Sequence, residues 1–231
     1  MKFKSKGCTL VEMSIVLVVI GLILGAVSIG KDLQRNAQYQ KISQSFIQGW
    51  ALAYQNYFTR VNVVVGDNQT SPTLRVNGNA TEICGGAATT DLYAVMDAAG
   101  VRMSAGRAEG SEDKYVYLDS NGNPQQIDVC FQNVPWSVDD PNVASGYSSR
   151  NKNVMVIKGL TPDLARLLDS SIDGVADARF GNFRESQYAN VTATGNQTVW
   201  SKTNRQNYSN VANNRDENQV AILTAYYLMP Q

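Results

Sequence analysis

Hydrophobic and polar positions divide the chain into three stretches of different rhythm. From Met13 to Gly30 the sequence reads MSIVLVVIGLILGAVSIG, an unbroken run of eighteen uncharged residues. A helix from Cys8 to Gly30 rises roughly 34 Å, enough to cross a hydrocarbon core of about 30 Å. From Lys31 the pattern becomes amphipathic. Leu33, Ala37, Ile42, Phe46, Trp50, Tyr54 and Tyr57, with Ile47 and Phe58 beside them, recur near three- and four-residue spacing. Lys31, Asp32, Arg35, Gln38, Lys41 and Gln48 fill the other face, so one side is expected to pack on a core. The two stretches together predict one helix from about Thr9 to Phe58, roughly 75 Å long.

From Asn62 the sequence turns to loops and strands. Asp67 to Gly86 is rich in Asn, Gly, Thr and Pro and reads as mainly irregular. Thr89-Thr90-Asp91 can cap a helix over Leu92–Ala99 that stops at Gly100. Tyr115–Leu118 and Ile127–Phe131 flank Asp119-Ser120-Asn121-Gly122-Asn123-Pro124 and predict a β-hairpin. Asn153–Lys158 is a further strand. Thr161 and Pro162 supply the cap and first turn of a helix through Leu168, and Gln219–Leu228 forms a final apolar strand. An α+β head with an antiparallel sheet against the helix follows.

Charge sharpens this picture. Lys2, Lys4 and Lys6 precede the apolar run without an intervening acid, which predicts a cytoplasmic N-terminus and a head across the membrane. The 20 basic and 20 acidic residues balance, so no nucleic-acid partner is expected. Histidine is absent, which removes the commonest general base and metal ligand. There is no Walker loop or dinucleotide fingerprint, and Gly85-Gly86 lacks the Lys-Ser or Lys-Thr of a phosphate cradle. The chain is therefore expected to be no enzyme and to carry no cofactor or metal.

The three cysteines contain no Cys-x-x-Cys pair. If the region is exported, a Cys84–Cys130 disulfide is the natural reading, worth about 4 kcal/mol in the chain-entropy model; two buried thiols are the alternative. Asp163, Asp169, Asp173 and Asp177 could be read as a calcium site, but they lack the EF-hand spacing. Capping and turn formation are favoured. The 11 tyrosines and 3 tryptophans fall mostly at core or strand positions, which favours packing over an adhesive surface.

Glu12 stands at the start of the apolar run, where a carboxylate costs about 2.5–3.5 kcal/mol and is usually matched by a partner and a function. The segment Gly7-Cys8-Thr9-Leu10-Val11-Glu12 resembles the processing motif of type IV prepilins and type II secretion pseudopilins. Those proteins carry a short basic leader ending in Gly, then Thr-Leu, Glu at the fifth mature position, and an apolar helix. The resemblance implies cleavage by prepilin peptidase between Gly7 and Cys8, N-methylation of Cys8, and assembly through Thr9, Leu10 and Glu12. It implies that Glu12 meets the N-terminal ammonium of a neighbouring subunit. Thr161–Asp169, Ile172-Asp173-Gly174 and Gly181-Asn182-Phe183-Arg184 resemble a second stretch found in such proteins. Cys8 stands where an aromatic is usual, and Ile29 where proline is common. Gly21 falls where pilins commonly carry glycine.

On this resemblance the fold is pilin-like. Residues 1–7 form the leader, 8–30 the membrane-spanning half of the helix, 31–61 its amphipathic half, and 62–231 the globular head. The implied partners are the peptidase, other pilin-like subunits in a homo- or hetero-polymer, and an inner-membrane assembly platform. Localisation would be single-pass in a bacterial inner membrane, then a cell-surface or periplasmic filament.

The rival reading is a secretory signal cut after Ala26-Val27-Ser28, leaving a binding or hydrolytic domain that starts at Ile29. A third, lipidation at Cys8, conflicts with a cysteine that precedes the apolar run.

Overall fold

The structure, a computed structural model, describes residues 10–79, 81–87, 90–200 and 222–230. The chain divides into two compact units, one ending at Gln38 and the other beginning at Tyr39.

The first unit is the greater part of helix α1, Leu10–Lys41. Within it Leu10–Val27 has a mean hydropathy of 2.7 and none of its residues is buried. It is long and apolar enough to cross a membrane. Leu33 and Ala37, expected on a packed face, are exposed. Periodicity identifies the apolar side of a helix, whereas burial also requires a covering layer.

In the second unit the helix passes through a π-helical stretch, Ile42–Ile47, into α2, Gln48–Val61. Tyr39, Ile42, Ser43, Phe46, Ile47, Trp50, Ala51, Ala53, Tyr54 and Tyr57 are buried. The steps from Ile42 to Phe46 to Trp50 to Tyr54 are all four residues. In an α-helix each such step overshoots a full turn by about 40°, so the row drifts round the cylinder. Wider π turns bring it back into line. Gln48 N–H accordingly reaches back five residues to the Ser43 carbonyl, and the Ser104 hydroxyl donates to the Ser45 carbonyl at 3.0 Å. Asn62, in the left-handed region, closes α2 by donating its N–H to Phe58.

The helix packs on a six-stranded antiparallel sheet. Its strands are β1 Ile83–Cys84, β2 Lys114–Leu118, β3 Pro124–Asp139, β4 Tyr147–Leu160, β5 Phe183–Glu185 and β6 Leu223–Leu228. The order is β1-β3-β4-β6-β5, with β2 also paired to β3. The expected hairpin is β2–β3, with Leu118 opposite Pro124. Asp119 fixes its turn by accepting from Asn121 and Asn123 N–H. The strand expected at 153–158 is longer, because twelve residue pairs continue from Asp128–Lys158 to Asp139–Tyr147. Positions 219–221 of the expected last strand lie outside the described residues.

Alternation assigns the two sheet faces. Ile127, Val129 and Phe131 join the main core, and Phe131 meets the rings of Trp50 and Tyr54 at 6.2 and 5.2 Å. Cys130, Val134 and Trp136 point the other way and form a smaller core with Val154, Val156 and Ala189. Arg184 lies 4.2 Å over the Trp136 ring and donates to Ser137. Burial lowers its pKa to about 10, so it remains a cation at neutral pH.

Two short helices complete the head. Helix α3, Leu92–Ala98, is capped by Asp91, which accepts from Tyr93 N–H; Thr89 lies outside the described residues. Helix α4, Pro162–Asp173, has Thr161 as its cap. It continues past Leu168 because Leu164, Ala165 and Leu168 bury one face, and it stops only at Gly174.

Candidate functional site

Three groups of residues singled out in the sequence have different standing in the structure. Gly7, Cys8 and Thr9 lie outside the described residues. Leu10 begins α1 and is 90 % exposed, while Glu12 lies in its first turn. Peptide dipoles place partial positive charge at a helix N-terminus, which favours a carboxylate there. Ser14 closes the same turn by donating to the Val11 carbonyl at 2.9 Å. An acid at a helix start, followed by two dozen ångströms of unburied apolar side chains, can seat the helix in lipid with its charged end at a fixed depth.

Cys84 and Cys130 form a disulfide. They are directly opposite one another on β1 and β3, with Cα atoms 4.5 Å apart. The bond fastens the irregular stretch before it to the central sheet. Beyond it Gly86 N–H donates to Asp91, and the ring of Tyr93 packs over Gly85. Glu82 approaches the two sulfurs and also pairs with Lys158 at 2.6 Å. With both sulfurs bonded to each other, this trio offers a metal no thiolate.

The aspartates of α4 and the following turn serve the backbone. Asp163 pairs with Arg166 in the first turn. Asp173 Oδ2 accepts from Asn182 and Phe183 N–H, both at 2.8 Å. Asp177 Oδ1 accepts from Arg179 and Thr198 N–H. Asp169 is fully buried, and its Oδ2 accepts from Asp177 N–H at 2.5 Å and Trp200 Nε1 at 2.6 Å. Among the described residues these four do not bring three carboxylates into one metal-sized cluster. Burial pushes the Asp169 carboxyl up to about 7, an effect reinforced by Asp173 and Asp177 and opposed by the bonds from Trp200 and Asp177 N–H.

Other tying residues carried no short-range signal. Asn153 is fully buried on β4, donates to the Leu74 carbonyl, and accepts from Val76 N–H and Asn133. It pins the 67–78 loop to the sheet. Asp67 gathers that loop by accepting from the N–H groups of Asn68, Thr73 and Leu74. Asn153 sits where β4 passes from a polar run, Ser148–Lys152, to an apolar one, Val154–Ile157, so nothing local marked it out. Trp200 and Asp169 are 31 positions apart, too far for any local pattern to link them.

Comparison with family models, with curated proteins and with solved structures finds no match to this chain.

Proposed function

We propose that this protein is a structural subunit of a type IV pilus-like or type II secretion filament, a pilin, minor pilin or pseudopilin. The observation that carries the reading is the Gly7-Cys8-Thr9-Leu10-Val11-Glu12 segment placed before a helix whose apolar residues, Leu10–Val27, bury nothing within the chain. Lipid satisfies that surface before assembly, and the same surface on neighbouring subunits satisfies it afterwards. The α+β head, with one helix laid on an antiparallel sheet, supports a pilin-like fold. The disulfide suits an oxidising compartment outside the cytoplasm.

In this reading prepilin peptidase cuts after Gly7 and methylates Cys8. Glu12 then selects the register in which it meets the new ammonium of an adjacent protomer. A charge pair in lipid is strong only where both partners meet, so it specifies position more than it adds stability. The role is architectural, and ATP chemistry belongs to a cytoplasmic motor beneath the assembly platform.

Mass spectrometry of the mature N-terminus tests processing. A methylated Cys8 start is expected. An Ile29 start points to ordinary secretion of a binding or hydrolytic domain, and a retained Met1 to a plain anchor. Glu12→Ala is expected to leave insertion and Gly7 cleavage intact while strongly reducing recovery in sheared filaments. Undiminished recovery rules out the assembly role of Glu12.

A further inference from the structure

The 67–81 loop carries the same triplet twice. Asn68-Gln69-Thr70 and Asn79-Ala80-Thr81 each place a threonine two positions after an asparagine. That is the acceptor pattern for attachment of sugar to an asparagine amide. Asn190, Asn196 and Asn207 begin three more, the last outside the described residues. The triplet alone is common, so its geometry decides which copies count.

In both loop copies the asparagine side chain is folded back on its own triplet. Asn68 Oδ1 accepts from Thr70 N–H at 2.8 Å and from the Thr70 hydroxyl at 2.7 Å. Asn79 Oδ1 accepts from Thr81 N–H at 2.6 Å and from the Thr81 hydroxyl. Asn77 Nδ2 donates to that hydroxyl at 2.8 Å, which aims its own hydrogen at Asn79. Two donors on a carboxamide oxygen draw electron density from the amide and make its Nδ2 protons easier to lose. Both Nδ2 atoms are left without a partner among the described residues, and both asparagines are exposed. The loop beneath them is held by Asp67 and, through Leu74 and Val76, by Asn153. Asn196 differs, because the N–H of its Thr198 goes to Asp177.

We propose that Asn68 and Asn79 are N-glycosylation sites, taking a glycan from a polyprenyl diphosphate-linked donor outside the cytoplasm. Nδ2 bonds to the anomeric carbon as the bond from that carbon to the diphosphate oxygen breaks. The lipid diphosphate leaves with the electron pair, and the Nδ2 proton passes to a base of the transferase. The donor sugar is met across the membrane, so the inference rests on the exported head proposed above.

Glycopeptide mapping of the full chain, purified from the cells that make it, tests this. Fragmentation that keeps sugar bonds intact assigns each sugar to an asparagine or a threonine. Sugar is expected on Asn68 and Asn79, and none on Asn196. Thr70→Ala should abolish the sugar on Asn68 alone, and Thr81→Ala that on Asn79 alone. Both threonines are exposed, so neither change disturbs the core. Thr70→Ser and Thr81→Ser keep the hydroxyl and should keep the sugar. Bare asparagines, sugar on the threonines instead, equal loading of Asn196, or sugar that persists when synthesis of the lipid-linked donor is blocked would overturn the proposal. The same digest reads the mature N-terminus. A Cys8 start with bare Asn68 and Asn79 sinks the acceptor sites and leaves the filament reading standing. An Ile29 start with both asparagines loaded does the reverse.

Discussion

Asp173 and Gly181 show how one atom can organise a loop. Asp173 Oδ2 receives two backbone N–H groups from beyond the turn, and Gly181 sits against it with φ 87°. A Cβ on Gly181 would lie 2.3 Å from that oxygen. Gly181→Ala therefore combines left-handed strain with displacement of a charge-assisted bond, a loss of about 2–4 kcal/mol. Thermal unfolding in detergent should show it, with a smaller loss in Asp173→Asn, whose amide oxygen still accepts. The Asp-Gly turn and the later glycine were both legible in the sequence. Their mutual dependence was not, because a side chain reaching backbone nine and ten residues away leaves no periodic trace. Asn153 was likewise legible only as part of a strand; its bonds are made to a loop recognised by composition alone.

At the scale of elements, hydrophobic rhythm told more. The hairpin, the capped α4 and the long helix all follow from spacing, caps and turn residues. The π-helical stretch was in principle readable from the three successive four-residue steps at Ile42, Phe46, Trp50 and Tyr54. Its stabilising partner, Ser104, was not. Gly49 leaves the space that Ser104 occupies, since a Cβ there would lie 2.6 Å from the Ser104 hydroxyl. Gly49→Ala gains about 1 kcal/mol of helix propensity but drives a Cβ into the buried Ser104 side chain, an overpacking cost of about 1–3 kcal/mol, and displaces its bond to the Ser45 carbonyl. A net loss is expected, and a double-mutant cycle with Ser104→Ala should reveal coupling between the two sites. The β1 strand is only two residues long and makes few bonds of its own, so the Cys84–Cys130 link fixes it. Cys84→Ser should cost about 2–5 kcal/mol, and thiol alkylation should detect Cys84 and Cys130 in wild type only after reduction.

At the scale of the whole molecule, a membrane-length helix and an α+β head were both legible, the first from uncharged length and the second from the alternation of its strands. The limit of the buried helical face was not, since Leu33 and Ala37 continue the pattern into exposed positions. Sheet order was also unreadable, because nothing local says which strand will sit between which. Here β6 lies between β4 and β5. Removing Leu223–Leu228 should leave two unpaired edges and strip Ala225 from the core, giving a protease-sensitive head where the full chain resists digestion.

The interior place of the last described strand sets a timetable for biogenesis. Between completion of β4 at Leu160 and of β6 at Leu228, synthesis at about 5–20 residues per second takes roughly 3–14 s. Throughout that interval the nascent head presents β4 as an open edge. A chain halted before Leu223 would lack the strand that joins β4 to β5.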